Sequence, residues 1–447
     1  MTFPSTFKNA DHYIDECIKF FDEFKYLFCF PNTHVLVENV LDNINISDIE
    51  KIDVFDDEFL ITSLVYKDDY MTNFLVKINK LLVTIPKMEV KEVEDNYKID
   101  APLSPKKRYE IVTMVKEVGA ICEKSGCELL VDFGAGLGYL DQIIYEVTKY
   151  NVLGLESNQS HYDCAQKRQT KYHKNSTAKV KYIKHKVNED SHLKIDEYIK
   201  QEFPKLKKFC IIGLHSCADL TVEAMHTFLK MPDARSLVIM PCCYHKMSHA
   251  NGQFKYFPLS KSFKAAFEKT GAIMFMNVPF LRLAAHTNIL RKDLYECAFD
   301  LLSRAVLQLY ACENNFSIQR NKRRAVKIKD KTDFEAFLVE AATKGYKLIP
   351  KTDKKIKFPK KDQIIKKFNM SQIRKTWRTL CGDLTFRKTA FYILLQMCMQ
   401  QVAENFVLLD RLLFLKENGV EDCHYMKIFA AEHSPRCMAL IANKPCE

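Results

Sequence analysis

The 447-residue sequence lacks the features of membrane and secreted proteins. No run of about 18 apolar residues occurs, so we predict no membrane-spanning helix and no membrane partner. The first residues, MTFPSTFKNADHYIDE, are polar and do not contain the apolar stretch of a secretory signal. We therefore expect a cytoplasmic or nuclear protein whose 16 cysteines are mostly free thiols, many of them buried.

The composition indicates a folded chain with a basic character. With 47% hydrophobic and 12% aromatic residues, it can bury a substantial core. The net charge of +11 is concentrated in two segments, Gln319–Lys331 and Lys351–Lys367. Such clusters are a solvated face, a nuclear address or an RNA-contacting surface. On the last interpretation, we predict Arg320, Arg323 and Arg324 as substrate-binding residues.

The pattern along the chain predicts four segments. Residues 1–100 have apolar residues at helical spacing. Residues 101–260 alternate between strand-like and helix-like runs, which predicts βαβ units and a parallel sheet. Residues 261–400 are mostly helical and carry the basic clusters. Residues 401–447 read as a helix with a glycine stop and then a hairpin, and we expect them to complete the sheet begun near residue 101. The predicted fold class is therefore α/β and Rossmann-like, with an N-terminal helical segment and a helical insertion.

A glycine-rich loop, VDFGAGLGYL, follows the first predicted strand and precedes a helix. Glycines allow a sharp turn and close approach to a ligand, and the helix that follows offers free N–H groups. The chain has no P-loop Gly-Lys-Ser/Thr. Asp132 stands before the first glycine, where it can meet the amino-acid end of S-adenosylmethionine, and Glu156 ends the next strand, where it can bond ribose hydroxyls. A dinucleotide enzyme would also have that second acid, so Glu156 alone does not discriminate.

Several motifs together carry a family resemblance: SPKKRYEI, VDFGAGLGYL, GLHSCADL, PCCYHKM, YFPLS and VLLDRLLFLKENG. From about residue 100 onward the chain resembles the seven-stranded S-adenosylmethionine-dependent methyltransferases. Within these it is similar to the methyltransferase-like protein 25 family, which includes proteins named for a ribosomal-RNA adenine dimethylase domain. The resemblance implies a methyltransferase fold with S-adenosylmethionine as cofactor. The predicted cofactor-binding residues are Asp132, Gly134, Gly136, Gly138, Tyr139, Leu140, Glu156, Ser157 and His215.

The chain departs from the methyltransferase patterns in three places. Relative to the family, Leu137 stands in place of a lysine and Ala218 in place of a glycine. In addition, no Asp/Asn-Pro-Pro-Tyr/Phe segment is present. Prolines and an aromatic residue of that segment hold the exocyclic amine of adenine, so its absence argues against ordinary amino-group methylation of adenine.

Two segments rich in cysteine and histidine, GLHSCAD and MPCCYHK, follow strands that we expect to be neighbours. At the carboxyl ends of those strands they can converge near the cofactor. A zinc site is one interpretation, but Cys242 and Cys243 are contiguous, and adjacent side chains on an extended strand point in opposite directions. A redox pair is another, although adjacent cysteines rarely form a bridge without strain. The remaining interpretations are a substrate-facing rim and simple packing at strand ends.

We predict the substrate-facing rim, with no metal ion. The catalytic candidates are then His215, Cys242, Tyr244 and His245, with a histidine as proton acceptor, and Lys107 is a further substrate-binding candidate. The sequence predicts methyl transfer from S-adenosylmethionine, with RNA as the substrate. The alternatives are a non-catalytic S-adenosylmethionine sensor that acts through a protein partner, and a protein methyltransferase.

Overall fold

A computed structural model describes the chain except for residues 2, 89–102, 288, 322–325, 327–329, 331, 352–367 and 446–447. The chain forms two compact units. The first contains residues 1–17, 82–274 and 404–447, and the second contains residues 18–81 and 275–403. The predicted segment boundaries near residues 100, 260 and 400 stay a prediction.

The described residues form thirteen α-helices, two of which, α1 and α13, contribute to both units. The helices are α1 (Ala10–Glu23), α2 (Asp69–Leu81), α3 (Pro105–Ser125), α4 (Tyr139–Thr148), α5 (Gln159–Tyr172), α6 (Ser191–Glu202), α7 (Asp219–Lys230), α8 (Lys261–Thr270), α9 (Val278–Ala284), α10 (Leu294–Glu313), α11 (Phe334–Glu340), α12 (Met370–Leu380) and α13 (Asp383–Glu417). None of these described helices combines the length and the apolar character needed to cross a membrane.

Eleven β-strands lie in the same described ranges. They are β1 (Leu129–Phe133), β2 (Asn151–Glu156), β3 (Val180–Lys184), β4 (Phe209–Cys217), β5 (Ala234–Cys242), β6 (His249–Ala250), β7 (Gln253–Phe254), β8 (Phe316–Arg320), β9 (Tyr346–Pro350), β10 (Cys423–Lys427) and β11 (Met438–Asn443).

The first unit is built on a seven-stranded sheet with the order β10-β11-β5-β4-β1-β2-β3. Strands β1 to β5 run parallel, whereas β11 is antiparallel to both β5 and β10. Every residue of β1 and β2 is buried, as expected for central parallel strands covered on both faces. The predicted α/β class and seven-stranded sheet are confirmed.

Local signals explain where the helices of this unit begin and end. Ser104 accepts a hydrogen bond from the Lys107 N–H, and Pro105 occupies the first turn, where its missing N–H costs nothing. At the other end of α3, Gly126 adopts a left-handed conformation with φ 65°. Because β1 to β5 run parallel, their carboxyl ends lie at one edge of the sheet, where loops and helix N-termini follow them.

Among the described residues, the second unit is helical apart from a two-stranded antiparallel sheet of β8 and β9. Aromatic rings fill its core: Phe21 and Phe280 lie 5.0 Å apart between centroids, and Phe334 stacks on Trp377 at 4.0 Å. The sequence predicted a mostly helical segment here and did not predict the two-stranded sheet. Its strands are only five residues long, too short for their alternation to stand out from the surrounding helices.

Candidate active site

The glycine-rich loop connects β1 to α4 and is held in a tight conformation. Gly136 and Gly138 adopt left-handed conformations, with φ 58° and 72°. A Cβ atom on Gly138 would collide with the hydroxyl of Tyr182. That hydroxyl donates a hydrogen bond to the Gly138 carbonyl at 3.2 Å, so a side chain of β3 holds the loop in place. Glycine is therefore required at Gly138 on two grounds, conformation and space.

Glu156 ends β2 and joins two loops at the edge of the sheet. One carboxylate oxygen accepts the N–H of Gly136 at 2.9 Å, and the other accepts the N–H of Asn158 at 2.6 Å. Each oxygen keeps one further lone pair, so the buried carboxylate can still accept hydrogen bonds from hydroxyl groups. This is the arrangement that a ribose-binding acid requires. Ser157, the next residue and a cofactor candidate, is exposed.

Asp132 lies in β1 against a second buried carboxyl group, which the sequence did not predict. This is Asp141, in the first turn of α4. In the part of the chain that the structure describes, no N–H or O–H donor of another residue reaches Asp132 Oδ1 or either oxygen of Asp141. Burial raises the pKa of Asp132 to about 6, and burial beside Asp132 raises the pKa of Asp141 well above its usual range. The two carboxyl groups therefore share a proton near neutral pH.

The start of α4 contains the two remaining loop candidates. Leu140 is buried in the core. Tyr139 is half-buried, and the guanidinium of Arg168 on α5 lies 3.8 Å from the centroid of its ring. This cation–π contact fixes the ring at the mouth of the loop. Arg168 had no motif to mark it in the sequence.

His215, near the end of β4, is oriented by a carboxylate from α3. Its Nε2 atom lies 3.3 Å from Glu110 Oε2, and the other Glu110 oxygen accepts a hydrogen bond from Ser434 at 2.8 Å. Burial alone would raise the pKa of Glu110, but the hydrogen bonds from His215 and Ser434 hold it below its usual value. Glu110 is 105 residues from His215 in the chain, so the sequence gave no signal for this pair.

Lys107, predicted to bind the substrate, is half-buried one turn before Glu110. Burial lowers its pKa, and the negative charges of Glu110 and Asp132 partly offset that effect. The structure thus brings Lys107, Asp132, Glu110 and His215 into one electrostatic neighbourhood.

A cluster of three thiols lies where β4 and β5 end. Cys217 and Cys242 are paired across the two strands, with their sulfur atoms 3.0 Å apart. Cys243 follows in a left-handed conformation, with φ 52° and ψ 42°. A hydrogen bond from Cys242 lowers the pKa of Cys217 to about 6. The same hydrogen bond and burial raise the pKa of Cys242, and burial raises that of Cys243.

Ala218, directly after Cys217, has a strained backbone with φ 56° and ψ −122°. That conformation is readily adopted only by glycine and costs other residues about 1–3 kcal/mol. We expect Ala218→Gly to raise the free energy of unfolding by about 1–2 kcal/mol, measured by urea denaturation. Ala265→Gly, at an exposed helical position in α8, is the matched control and should lower it by about 1 kcal/mol. Equal losses in the two variants would contradict the prediction.

Tyr244 and His245 begin a 3₁₀ turn directly after Cys243. The Tyr244 ring is only 3% exposed, and its hydroxyl donates to Glu404 on α13 at 3.1 Å, where Arg436 also pairs with Glu404 at 3.3 Å. The observed contacts anchor the Tyr244 side chain to α13. Its predicted contact with the substrate stays a prediction. His245 is half-buried, and its predicted catalytic role also stays a prediction.

Of the three arginines predicted to bind the substrate, the structure describes one. Arg320 ends β8 in the second unit and is exposed. Arg323 and Arg324 lie outside the described residues, as does most of the second basic segment.

The comparison with protein families concerns the segment just described. Residues 106–250 match the model of a methyltransferase domain. The predicted class of domain is confirmed. The segment contains every predicted site residue except the three arginines of the basic clusters. With the class of domain, S-adenosylmethionine is confirmed as the cofactor. The acceptor atoms of Asp132 and Glu156 and the left-handed glycines of the loop fit it.

A curated relative gives a weaker match. The chain is 24% identical over 271 residues to "Probable methyltransferase-like protein 25" of Mus musculus. That match covers 58% of this chain and 41% of the relative, so the chain spans less than half of the relative's length.

Three solved structures are also similar to parts of the chain, each with a TM-score of 0.22. The methyltransferase domain of bacterial CtHen1-CN is 10% identical and covers 49% of this chain and 92% of its own. Magnesium protoporphyrin IX methyltransferase (ChlM) from Synechocystis PCC 6803 with bound SAH is 14% identical, and the match covers 49% of this chain and 81% of that enzyme's chain. The plantazolicin methyltransferase BpumL in complex with SAH is 10% identical, covering 74% and 92%. A TM-score of 0.22 is too low to carry a conclusion about this chain.

Proposed function

We propose that this protein transfers a methyl group from S-adenosylmethionine to RNA. The observation that carries the transfer is the glycine loop closed by Glu156 and flanked by Asp132, inside a segment that matches a methyltransferase domain. When bound, the cofactor supplies an electrophilic methyl group. Asp132 would attract the positively charged amino group of the cofactor, and Glu156 would accept hydrogen bonds from its ribose hydroxyls.

His215 is the residue that we assign to the acceptor side. Glu110 accepts a hydrogen bond from the N–H at His215 Nε2, which leaves Nδ1 as the nitrogen with a free lone pair. That tautomer can take the proton that a hydroxyl or a neutral amine loses as it becomes methylated. With 35% of its side chain exposed, His215 is open to a substrate at the carboxyl end of β4.

RNA is proposed as the acceptor because of charge. The +11 net charge and the two basic segments favour a polyanionic partner over a small neutral one. Arg320, Arg323 and Arg324 would contact its phosphates. The absence of a proline-proline-aromatic segment favours a ribose hydroxyl or another base position over the adenine amine.

Calorimetry with S-adenosylmethionine tests the cofactor site. We expect the wild-type protein to bind and Asp132→Asn to weaken binding by about 10- to 100-fold, because a contact to a charged group is worth about 1.5–3 kcal/mol. The matched control is Asp233→Asn, an exposed aspartate in the turn before β5, which should bind as the wild type does. Equal affinity of all three proteins would refute the assignment of Asp132.

Labelled methyl transfer into extracts then tests the acceptor. Label in RNA, lost when Arg320, Arg323 and Arg324 are replaced by glutamine, supports the proposal. Label in protein instead would make the chain a protein methyltransferase. Tight cofactor binding without label in either extract would favour the S-adenosylmethionine sensor and a protein partner.

A further inference from the structure

The thiol cluster of Cys217, Cys242 and Cys243 offers a set of ligands that methyl transfer does not require. The three sulfur atoms all lie within 4.8 Å of one another. In the described residues this is the one group of three or more histidine, cysteine or acidic side chains gathered closely enough to hold a metal ion. The sulfurs come from two neighbouring strand ends, so one sheet edge fixes their positions.

The sequence objection to a metal site does not hold in the folded chain. Contiguous cysteines on an extended strand would direct their sulfurs to opposite sides. However, β5 ends at Cys242, and Cys243 adopts the left-handed conformation, which returns its sulfur to the side of its neighbour. The backbone also closes around the cluster, because the Ala218 N–H donates to the Cys242 carbonyl at 3.0 Å.

Strain at this place is a second, independent observation. Ala218, directly after Cys217, and Cys243, a member of the cluster, both have positive φ. Non-glycine residues in such conformations cost free energy and persist where the surroundings impose them, often at ligand sites. The two outliers together hold the three sulfurs on one side of the sheet edge.

We propose that Cys217, Cys242 and Cys243 bind a thiophilic divalent cation, Zn²⁺, through three thiolates. Tetrahedral zinc with Zn–S bonds of about 2.3 Å requires sulfur separations of about 3.8 Å. The observed cluster therefore needs shifts of about 1 Å or less. Thiolate ligands select zinc over hard cations such as Mg²⁺ or Ca²⁺.

The fourth coordination position is open. No fourth histidine, cysteine or carboxylate joins the group among the residues that the structure describes. Three protein ligands and one exchangeable position are typical of zinc sites that take part in chemistry, whereas structural sites are closed by four. Water would fill the position in the resting protein, and a thiol or other soft donor could displace it.

The main competing outcome is a disulfide between Cys217 and Cys242. Those two residues face each other across parallel strands. Such a bond would join two of the thiols and leave Cys243 with no part in the cluster, whereas a cation uses all three.

Element analysis and cobalt substitution of the full chain test the proposal. We expect zinc to copurify in equimolar amount and Co²⁺ to replace it, with sulfur-to-cobalt charge-transfer bands and the strong visible bands of tetrahedral coordination. Cys217→Ser, Cys242→Ser and Cys243→Ser should each lose most of the metal. Cys164→Ser, which removes an exposed thiol on α5, is the matched control and should keep it.

Three results would overturn the site. They are an absence of cobalt charge-transfer bands in the wild-type protein, equal metal content in the Cys217→Ser and Cys164→Ser variants, and a Cys217–Cys242 disulfide found by mass spectrometry under non-reducing conditions. If the serine variants do not fold, removal of the metal by a chelator and reconstitution of the wild-type protein with Co²⁺ give the same answer. None of these readouts depends on methyl transfer.

Discussion

Replacing Asp410 with alanine is expected to lower the free energy of unfolding by about 3–5 kcal/mol, the cost of breaking a buried ion pair by removing one partner. Asp410 on α13 is fully buried and accepts hydrogen bonds from the backbone N–H groups of Leu259 and Ser260 and from the Ser260 hydroxyl. It also pairs with Arg411 at 3.0 Å. In the variant, the Arg411 charge would stay buried without its counterion.

The ion pair matters for the candidate site because of what Arg411 contacts. Its guanidinium donates to the Tyr256 carbonyl at 3.4 Å and lies 3.1 Å from the Met247 sulfur. Together, Asp410 and Arg411 therefore fix residues 247–260 against α13. This segment follows directly after the 3₁₀ turn that contains His245. Loss of the ion pair should therefore also disturb the sheet edge that carries the thiol cluster.

Urea denaturation of the variant and a surface control measures the effect. Glu268→Ala, at an exposed position on α8, removes the same kind of charge and should change stability by less than about 0.5 kcal/mol. Asp410→Ala combined with Arg411→Met should recover part of the loss, because it removes the second buried charge. A loss below about 1 kcal/mol for Asp410→Ala alone would contradict the assignment of the pair as a main anchor.

The features predicted from the sequence are those encoded by neighbouring residues. A strand, a glycine turn and a helix lie within ten residues around Gly136, and Ser104, Pro105 and Gly126 mark the ends of a single helix. Such signals act over one or two turns, so a pattern can carry them. The alternation of strands and helices then leaves few arrangements for a parallel sheet.

The features that were not predicted join distant parts of the chain. Glu110 reaches His215 from a helix that precedes β1, and Ser434 reaches Glu110 from the C-terminal segment. The pattern marks Glu110 only as one charge on an amphipathic helix. The predicted opposite directions of the Cys242 and Cys243 side chains were wrong for another reason. The exact residue at which a strand ends decides the direction of the next side chain, and strand ends are weakly encoded in the sequence.

The second large effect is expected from Asp141→Asn, which should raise the free energy of unfolding at neutral pH by about 1–3 kcal/mol. Burial raises the pKa of Asp141 well above its usual range, so this carboxyl group ionises more readily in the unfolded chain, which destabilises the fold at neutral pH, and an asparagine removes that cost. An asparagine at position 141 can donate its amide proton to the Asp132 carboxylate. The pair then holds its single negative charge without a shared proton.

The pH dependence gives the sign of the effect. Because burial raises the pKa values of Asp132 and Asp141 in the folded protein, the folded state binds more protons than the unfolded state. Stability should therefore fall as the pH rises from about 4 through about 6. The other ionisable groups beside Asp132 and Asp141 are Lys107, Glu156 and Tyr182. They remain in the variant, so the comparison isolates Asp141.

Urea denaturation between about pH 4 and pH 8 should show a flatter profile for Asp141→Asn than for the wild type, with Asp233→Asn following the wild type. Binding of S-adenosylmethionine adds a second discriminating measurement. Asp141→Asn should retain binding because Asp132 still presents its negative charge, whereas Asp132→Asn should not. If Asp141→Asn lost both stability and cofactor binding at every pH, Asp141 would be a direct cofactor ligand, and the shared-proton description of this edge would have to be abandoned.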